Sequence, residues 1–429
     1  MTPGLIATLI FVACLALIFT EKLNRTIVAL AGSVLMVAVG MLMGFYSEEA
    51  AIHAIDFETL GLLFGMMVLV ALLEPTGFVR YLAVWAGRFS KGRPLRLLVL
   101  LGVITTVLSM FLDNVTTVVL IAPVTVLISE LLGVSPVPYL VAEAILSNTG
   151  GTATLVGDPP NVLISSAAGL SFNDFLTHSL PVIVLAWIGA LLLLQFLFRK
   201  ELRNKNMLNQ AILSMDPKEA LEQPKAARRV LIVLGGTVLL FLLQEPLHLT
   251  PSFIALMASA VGLVWIRPDL HDTLRRIEWS VLIFFGGLFV LVGGLEATGV
   301  LHQLAEILLH ARNVPAPLFG VLLIWVVALL SAVVDNVPIT IALIPVILDL
   351  ELAGVNVSPL WWALAFGAGL GGNGTIIGST ANIVVASLSE RTRSPITARS
   401  WSKVGIPVML LTCGIVSLVY YLAYPLFTR

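Results

Sequence analysis

Two short stretches of this chain concentrate the residue types able to bind or move an ion. Ser109 to Pro123 reads S-M-F-L-D-N-V-T-T-V-V-L-I-A-P, and Ser331 to Pro345 reads S-A-V-V-D-N-V-P-I-T-I-A-L-I-P. Each sets an Asp-Asn pair in the middle of an almost purely apolar run, and the copies stand 222 residues apart at both Asp113/Asp335 and Pro123/Pro345. A carboxylate at hydrocarbon depth costs at least about 2.5–3.5 kcal/mol, so such an acid marks an ion or proton site. A second pair of stretches is Ser147 to Asn161, S-N-T-G-G-T-A-T-L-V-G-D-P-P-N, and Gly369 to Asn382, G-L-G-G-N-G-T-I-I-G-S-T-A-N. Gly150, Gly151, Gly157, Pro159 and Pro160 rule out a continuous helix in the first, because each interior proline costs about 3 kcal/mol. An unwound centre exposes carbonyls, N–H groups and helix ends, which hold small ions and polar solutes without a cofactor.

The expected constellation pairs each Asp-Asn tip with the unwound segment of its own half. Asp113, Asn114, Thr116 and Thr117 would face Asn148, Thr149, Thr152, Thr154, Gly157, Asp158 and Asn161. Asp335, Asn336 and Thr340 would face Asn373, Thr375, Gly378, Ser379 and Asn382, and the two clusters would share one substrate site. Asp113, Asp158 and Asp335 are the proton-coupling candidates. The tip acids have no Lys or Arg at comparable depth, and Asp158 corresponds to Ser379, which makes the halves electrically unequal. The alternative for Asp158 is a helix cap. For the Asn, Thr and Gly residues it is interhelical bonding or close packing. Glu143 is expected near the cytoplasmic interface, and Glu130, Asp349 and Glu351 at solvated hairpin ends. The six histidines fall in loops or amphipathic stretches, and Cys14 and Cys413 lie in separate apolar runs. Neither a metal site, a disulfide nor a cofactor is therefore expected.

The elements that must position these residues follow from composition. With 58% hydrophobic and 11% charged residues and a mean hydropathy of +1.02, the chain reads as an all-α polytopic membrane protein. The first apolar run lacks the basic and small-residue flanks of a signal peptide and reads as a retained helix. Ten runs suffice to cross the hydrocarbon core: 3–20, 26–45, 59–73, 138–168, 179–198, 229–244, 251–266, 279–297, 359–388 and 404–425. Two more, 95–132 and 315–353, would as single helices be nearly twice the core thickness, so each folds back at its Asp-Asn pair, either as two thin spans with the turn outside or, as the absence of loop residues at the tip favours, as a re-entrant hairpin. Runs 138–168 and 359–388 are broken helices. Leu63-Phe64-Gly65 and Leu73 to Gly77 recur as Phe285-Gly286-Gly287 and Leu295 to Gly299 at the same 222 spacing, and Gly157 to Asn161 recurs as Gly378 to Asn382 at 221. The chain divides into a first repeat, 1–198, a cytoplasmic linker, 199–228, and a second repeat, 229–429. Five crossings per repeat is odd, so the second is inverted relative to the first, the arrangement of secondary transporters with a midplane site. Residues 78–93 and 300–313 read as interfacial amphipathic arms.

With both termini outside, 22 of the 24 basic residues fall on the cytoplasmic side and only Arg312 and Arg429 outside. No phosphate-binding Walker loop occurs, so energy comes from an ion gradient or a separate ATPase subunit. Catalytic triads, metal-ligand sets and filter-like carbonyl runs are absent from the sequence, which disfavours an enzyme or a channel.

The acid tips and the G-G-T-x-T-x-x-G-D-P-P-N segment resemble the ArsB/NhaD and P-protein branch of the ion transporter superfamily, whose other branches include citrate and dicarboxylate carriers; the resemblance spans roughly residues 20–425. It implies a homodimer in the plasma membrane, with hairpins and broken helices moving elevator-fashion against a scaffold. In the dicarboxylate branch the tip begins with Ser where Asp113 and Asp335 stand, so two added acids argue against a dianionic substrate. The function expected is proton-coupled efflux of a small oxyacid of the arsenite or antimonite kind. The alternatives are Na+/H+ antiport and Na+-coupled citrate or dicarboxylate uptake. The partners are that solute, H+ or Na+ and the bilayer, not nucleic acid.

Overall fold

The computed structural model describes residues 2–19, 23–202, 216–309, 314–390, 392 and 395–428. Lys22, Arg203, Lys205, His310, Arg312, Arg391, Arg393 and Arg429, which entered the charge and histidine readings, lie outside the described residues, as does the centre of the linker.

The described residues form helices and no strand. In the first half these are α1 (Pro3–Phe19), α2 (Arg25–Met43), α3 (Phe57–Leu73), α4 (Phe78–Phe89), α5 (Pro94–Ser109), α6 (Asn114–Leu131), α7 (Val137–Gly151), α8 (Pro159–Ala168) and α9 (Leu180–Leu197). The second half supplies α10 (Pro224–Leu242), α11 (Pro251–Ile266), α12 (Trp279–Ala297), α13 (Val300–Leu309), α14 (Ala316–Ser331), α15 (Asn336–Leu352), α16 (Ser358–Gly371), α17 (Thr380–Ser389) and α18 (Ala398–Leu422). Boundaries follow local chemistry. Asn24 and Asp56 cap α2 and α3 by accepting from Thr26 N and from Glu58 N and Thr59 N. Pro94, Pro138, Pro159, Pro251 and Pro359 stand in first turns, where a missing N–H costs nothing. Six helices or helix runs are long and apolar enough to cross a membrane on their own, and shorter apolar helices complete the bundle.

Both expected hairpins are present, α5–α6 and α14–α15, each turning within the four residues before its Asn. Both expected breaks are present too, between α7 and α8 and between α16 and α17. The neighbours obey a pseudo-two-fold rule: α1 packs on α2 as α10 packs on α11, α2 on α12 as α11 on α3, α4 on α6 as α13 on α15, and α5 on α7 as α14 on α16. The same rule corrects one expectation. The distal helix of each break crosses to the other half, α8 packing on the hairpin arm α15 and α17 on α6. The two site clusters are therefore interleaved rather than each closed within its own half.

The amphipathic arms are α4 and α13. Glu130 and Glu351 are exposed at hairpin ends and Asp349 is half-buried 3.5 Å from His302, while Cys14 and Cys413 are free and buried. Glu143 is wholly buried among α5, α6 and neighbouring helices. Only a few residues separate it from the start of its helix, but the hairpin covers that end.

Candidate functional site

The hairpin tips are fixed by hydroxyls that satisfy backbone groups which no water reaches. Ser109 Oγ donates to Ser147 O at 2.9 Å, Ser147 Oγ donates to Asn114 O at 3.2 Å, and Thr154 Oγ1 donates to Met110 O at 2.5 Å. In the second half Ser331 Oγ donates to Ala368 O at 2.8 Å and Thr375 Oγ1 to Ala332 O. Two glycines let the unwound strands press against the tips. A Cβ on Gly157 would stand 2.6 Å from Ser109 O and one on Gly378 3.0 Å from Ser331 O, so only glycine fits at either.

Asn161 and Asn382 clamp the unwound segments rather than facing a ligand. Asn161 Nδ2 donates to the carbonyls of Gly151, Thr152 and Thr154, at 2.8 Å for the last, and Asn382 Nδ2 donates to those of Gly372 and Thr375, both at 2.8 Å. Thr152 and Thr340 donate back into their own helices. The centre of the molecule is Asn148. Its amide donates to Asn373 Oδ1 (3.1 Å) and Asn382 Oδ1 (3.0 Å), and its carbonyl accepts from Asn114 Nδ2 and Ser379 Oγ, both at 3.0 Å. Asn373 Nδ2 also donates to Thr149 Oγ1 at 3.2 Å. The expected meeting of the two clusters is therefore seen, buried and fully hydrogen-bonded through side chains of both halves.

In front of this network lies a cavity of about 50 Å³ lined by Asp113, Asn114, Asp158, Asp335, Asn336 and Ser379, with Leu63, Met67, Val281, Phe284 and Phe285 as its apolar wall. At about 10–15 Å³ per water it accommodates a few water-sized particles. Asp113 caps α6, accepting from Thr116 N at 2.9 Å and Thr116 Oγ1 at 2.5 Å. Asp158 precedes α8 but makes no side-chain cap. Asn336 Nδ2, from the other half, donates instead to its two carboxylate oxygens at 3.2 and 3.3 Å. Thr117 lies behind the tip with its hydroxyl unpartnered.

Two charged groups at the cavity were not expected there. Arg25, at the start of α2, donates from Nη1 to Asp335 Oδ2 at 2.9 Å and to Thr380 Oγ1 at 2.7 Å, and lies over the Phe284 ring. Asp335 is thus not the isolated acid that the apolar run suggests. A guanidinium on a long stem reaches several ångströms inward from a helix end, and spacing alone cannot show this. Glu278, just before α12, also lines the cavity. The one signal for it was position, since it stands 222 residues after the cap Asp56. Among the described residues no cluster of His, Cys, Asp and Glu is arranged to hold a metal ion.

Paired hairpins meeting paired interrupted helices inside an apolar, multi-pass helical bundle define a membrane transporter. The sequence matches the profile of the citrate transporter family over residues 15–367. The chain belongs to that family, within the ion transporter superfamily. It is 36% identical over 432 residues to a 46 kDa membrane protein of Mycobacterium leprae, covering 98% of this chain and 99% of that protein. With an uncharacterized transporter of Mycobacterium tuberculosis the identity is 37% over 435 residues, covering 99% and 100%. The human P protein is 35% identical over 499 residues, covering 96% of this chain and 59% of that longer protein. The crystal structure of the Alcanivorax borkumensis YdaH transporter, described as having an unusual topology, shares the fold with a TM-score of 0.59 over 99% of this chain and 98% of that one at 16% identity.

Proposed function

We propose that the protein is a proton-coupled secondary transporter that expels a small oxyacid of the arsenite or antimonite kind across the plasma membrane in exchange for protons. The observation that carries this reading is the charge of the cavity wall: carboxyl groups of Asp113, Asp158, Asp335 and Glu278 against the single guanidinium of Arg25. Like charges a few ångströms apart raise the free energy of a bound polyanion and favour a proton, a small cation or an uncharged solute. Arsenous acid is uncharged near neutral pH and would be held by Asn114, Asn336, Ser379 and backbone groups, while Asp113 and Asp158 exchange protons. In this reading residues 1–198 and 229–429 are the inverted repeats, the linker 199–228 is cytoplasmic, both termini are outside and the protein works as a homodimer. Hairpins and interrupted helices travel as one body.

Na+/H+ antiport is the second reading, supported by the same acids, which bind either cation. Citrate, in the family's name, fits the cavity poorly: a tricarboxylate exceeds about 50 Å³ and would meet several acids with one arginine, itself engaged by Asp335. The test is transport by purified protein in liposomes under an imposed pH gradient, with arsenite, antimonite, Na+ and citrate offered separately. Oxyacid-dependent proton movement is the expected result. Na+-dependent proton movement with no oxyacid present would transfer the assignment to antiport, and citrate-dependent movement would overturn both.

A further inference from the structure

The antiparallel helices α6 and α7 face each other with a row of polar groups that the cavity does not use. Thr117, Thr125 and Ser129 fall on one face of α6, and Tyr139, Glu143 and Ser147 on one face of α7. Thr125 Oγ1 donates to Glu143 Oε1 at 2.5 Å, which sets the register. Ser129 and Tyr139 then occupy the next rung toward the hairpin's ends, and Ser147, hydrogen-bonded to the Asn114 carbonyl, the rung at the tip. All are buried, Glu143 at 0% exposure. Four of their polar atoms, Thr117 Oγ1, Ser129 Oγ, Tyr139 OH and Glu143 Oε2, have no hydrogen-bond partner among the described residues. Each orphan costs about 1–3 kcal/mol, and an ionised carboxylate more.

The second repeat is an internal control. The corresponding residues that either spacing gives as apolar are Ile339 for Thr117, Ile347 or Val346 for Thr125, Leu360 for Tyr139 and Leu364 for Glu143, at 222 positions on before the one-residue gap and 221 after it. All are buried, and α15 packs on α16 as α6 packs on α7. Hydrocarbon alone therefore makes this interface, and the polar row in the first repeat is not needed to build it. No opposite charge offsets Glu143 either. Of the helices packed on α7, the described residues of α9, α16 and α17 carry no titratable group. The Arg96 of α5 and the Glu130 of α6 are exposed at helix ends, and Tyr139 is the one titratable neighbour on α7.

We propose that Glu143 is a proton-binding site of the first repeat, with Oε2 the atom that takes the proton, that Thr117 and Ser147 lie between it and the acid tip at Asp113, and that Ser129 and Tyr139 continue the row toward the hairpin's open ends. Binding adds one proton to Oε2 and turns the carboxylate into a carboxylic acid; release hands a proton on to the Asp113 carboxylate, each hydroxyl on the way accepting one proton as it gives up another, so that no charge is left on the row. The link to transport rests on the proton-coupled reading above, whereas the binding site does not. The experiment therefore has one arm that needs no substrate. Infrared spectra of the wild-type protein carrying carboxyl-labelled glutamate separate a glutamic acid band from those of the aspartates. The expected band is lost in Glu143→Gln, exchanges its proton for deuterium, and converts to carboxylate as pH is raised. A band that neither exchanges nor titrates overturns the proposal whatever the substrate proves to be. In the transport arm, Glu143→Gln is expected to lower gradient-driven flux at least about a hundredfold, the scale of a lost proton-transfer group, and to leave substrate exchange without a gradient near wild type. Should that variant fold poorly, Thr125→Val with Glu143→Leu, which installs the second repeat's chemistry, replaces it. Undiminished driven flux in a folded variant overturns the connection to Asp113.

Discussion

The two hairpin tips carry the same Asp-Asn pair on the same backbone turn, yet the acids stand in different company. Asp113 accepts from the first turn of its own helix and has no ion-pair partner among the described residues. Asp335 accepts only a long 3.4 Å bond from the first turn of its own helix, at Val337 N, and is held instead by Arg25 at 2.9 Å and Thr380 Oγ1 at 3.3 Å, with side-chain exposures of 17% for Asp335 and 32% for Arg25. Asp158, the third acid, has the neutral Ser379 as its counterpart. Duplication thus supplied two similar tips, and their surroundings gave them different electrostatics. The first has a carboxyl with no ion-pair partner among the described residues, and the second carries a tethered cation. A folded repeat can therefore hold one half as reactive and the other as a counterweight.

Substitutions that exchange the characters of the two tips test this contrast most directly. Asp113→Asn should lower gradient-driven flux by about a hundredfold, since it removes the uncompensated acid, while Asp335→Asn should cost about tenfold or less. Equal losses in liposome transport would make the tips equivalent. The next largest effect is on stability. Asn148→Ala leaves Asn114, Ser379, Asn373 and Asn382 without a shared partner and should lower unfolding free energy by roughly 2–4 kcal/mol, read as a drop in melting temperature in detergent. Gly157→Ala and Gly378→Ala should each cost about 1–3 kcal/mol and to a similar degree, because the nearest obstacle is a main-chain carbonyl at both, Ser109 O at 2.6 Å and Gly372 O at 2.7 Å. The smallest effect is the coupling between Arg25→Gln and Asp335→Asn. A double-mutant cycle should return about 0.5–1 kcal/mol, reduced by salt, as for a partly exposed pair. A coupling of zero would remove Arg25 from the account of the second tip.

Much of this architecture is legible in the residues themselves. The fold-back of 95–132 and 315–353 follows from length, the breaks at Gly157 and Gly378 follow from glycine and proline placement, and the constant spacing exposes the repeat. The crossing of α8 onto α15 and of α17 onto α6 is not legible, because both halves share one pattern and spacing cannot say which copy a helix meets. Arg25 was hidden because its α-carbon sits at a helix end while its guanidinium works several ångströms away. The burial of Glu143 is not legible from its position along its own helix, because it is decided by the hairpin laid across it. Asn161, Asn382 and Thr154 were rightly drawn to the unwound segments, but there they tie backbone carbonyls rather than line the cavity.

The seams at Gly157 and Gly378, where main chain meets main chain with no room for a methyl group, have a mechanical consequence. A hairpin lifting away from its interrupted helix like a lid would strand several carbonyls in oil, which favours the joint movement of the two proposed above. The surface free to slide is the greasy wall of Leu63, Met67, Phe284 and Phe285. Among the described residues, the hydrogen bonds that cross from α2, α3, α11 and α12 to the hairpins and interrupted helices are those of Arg25. In the transport reading proposed above, one latch on an otherwise lubricated track would make the rate of opening depend on a single side chain letting go.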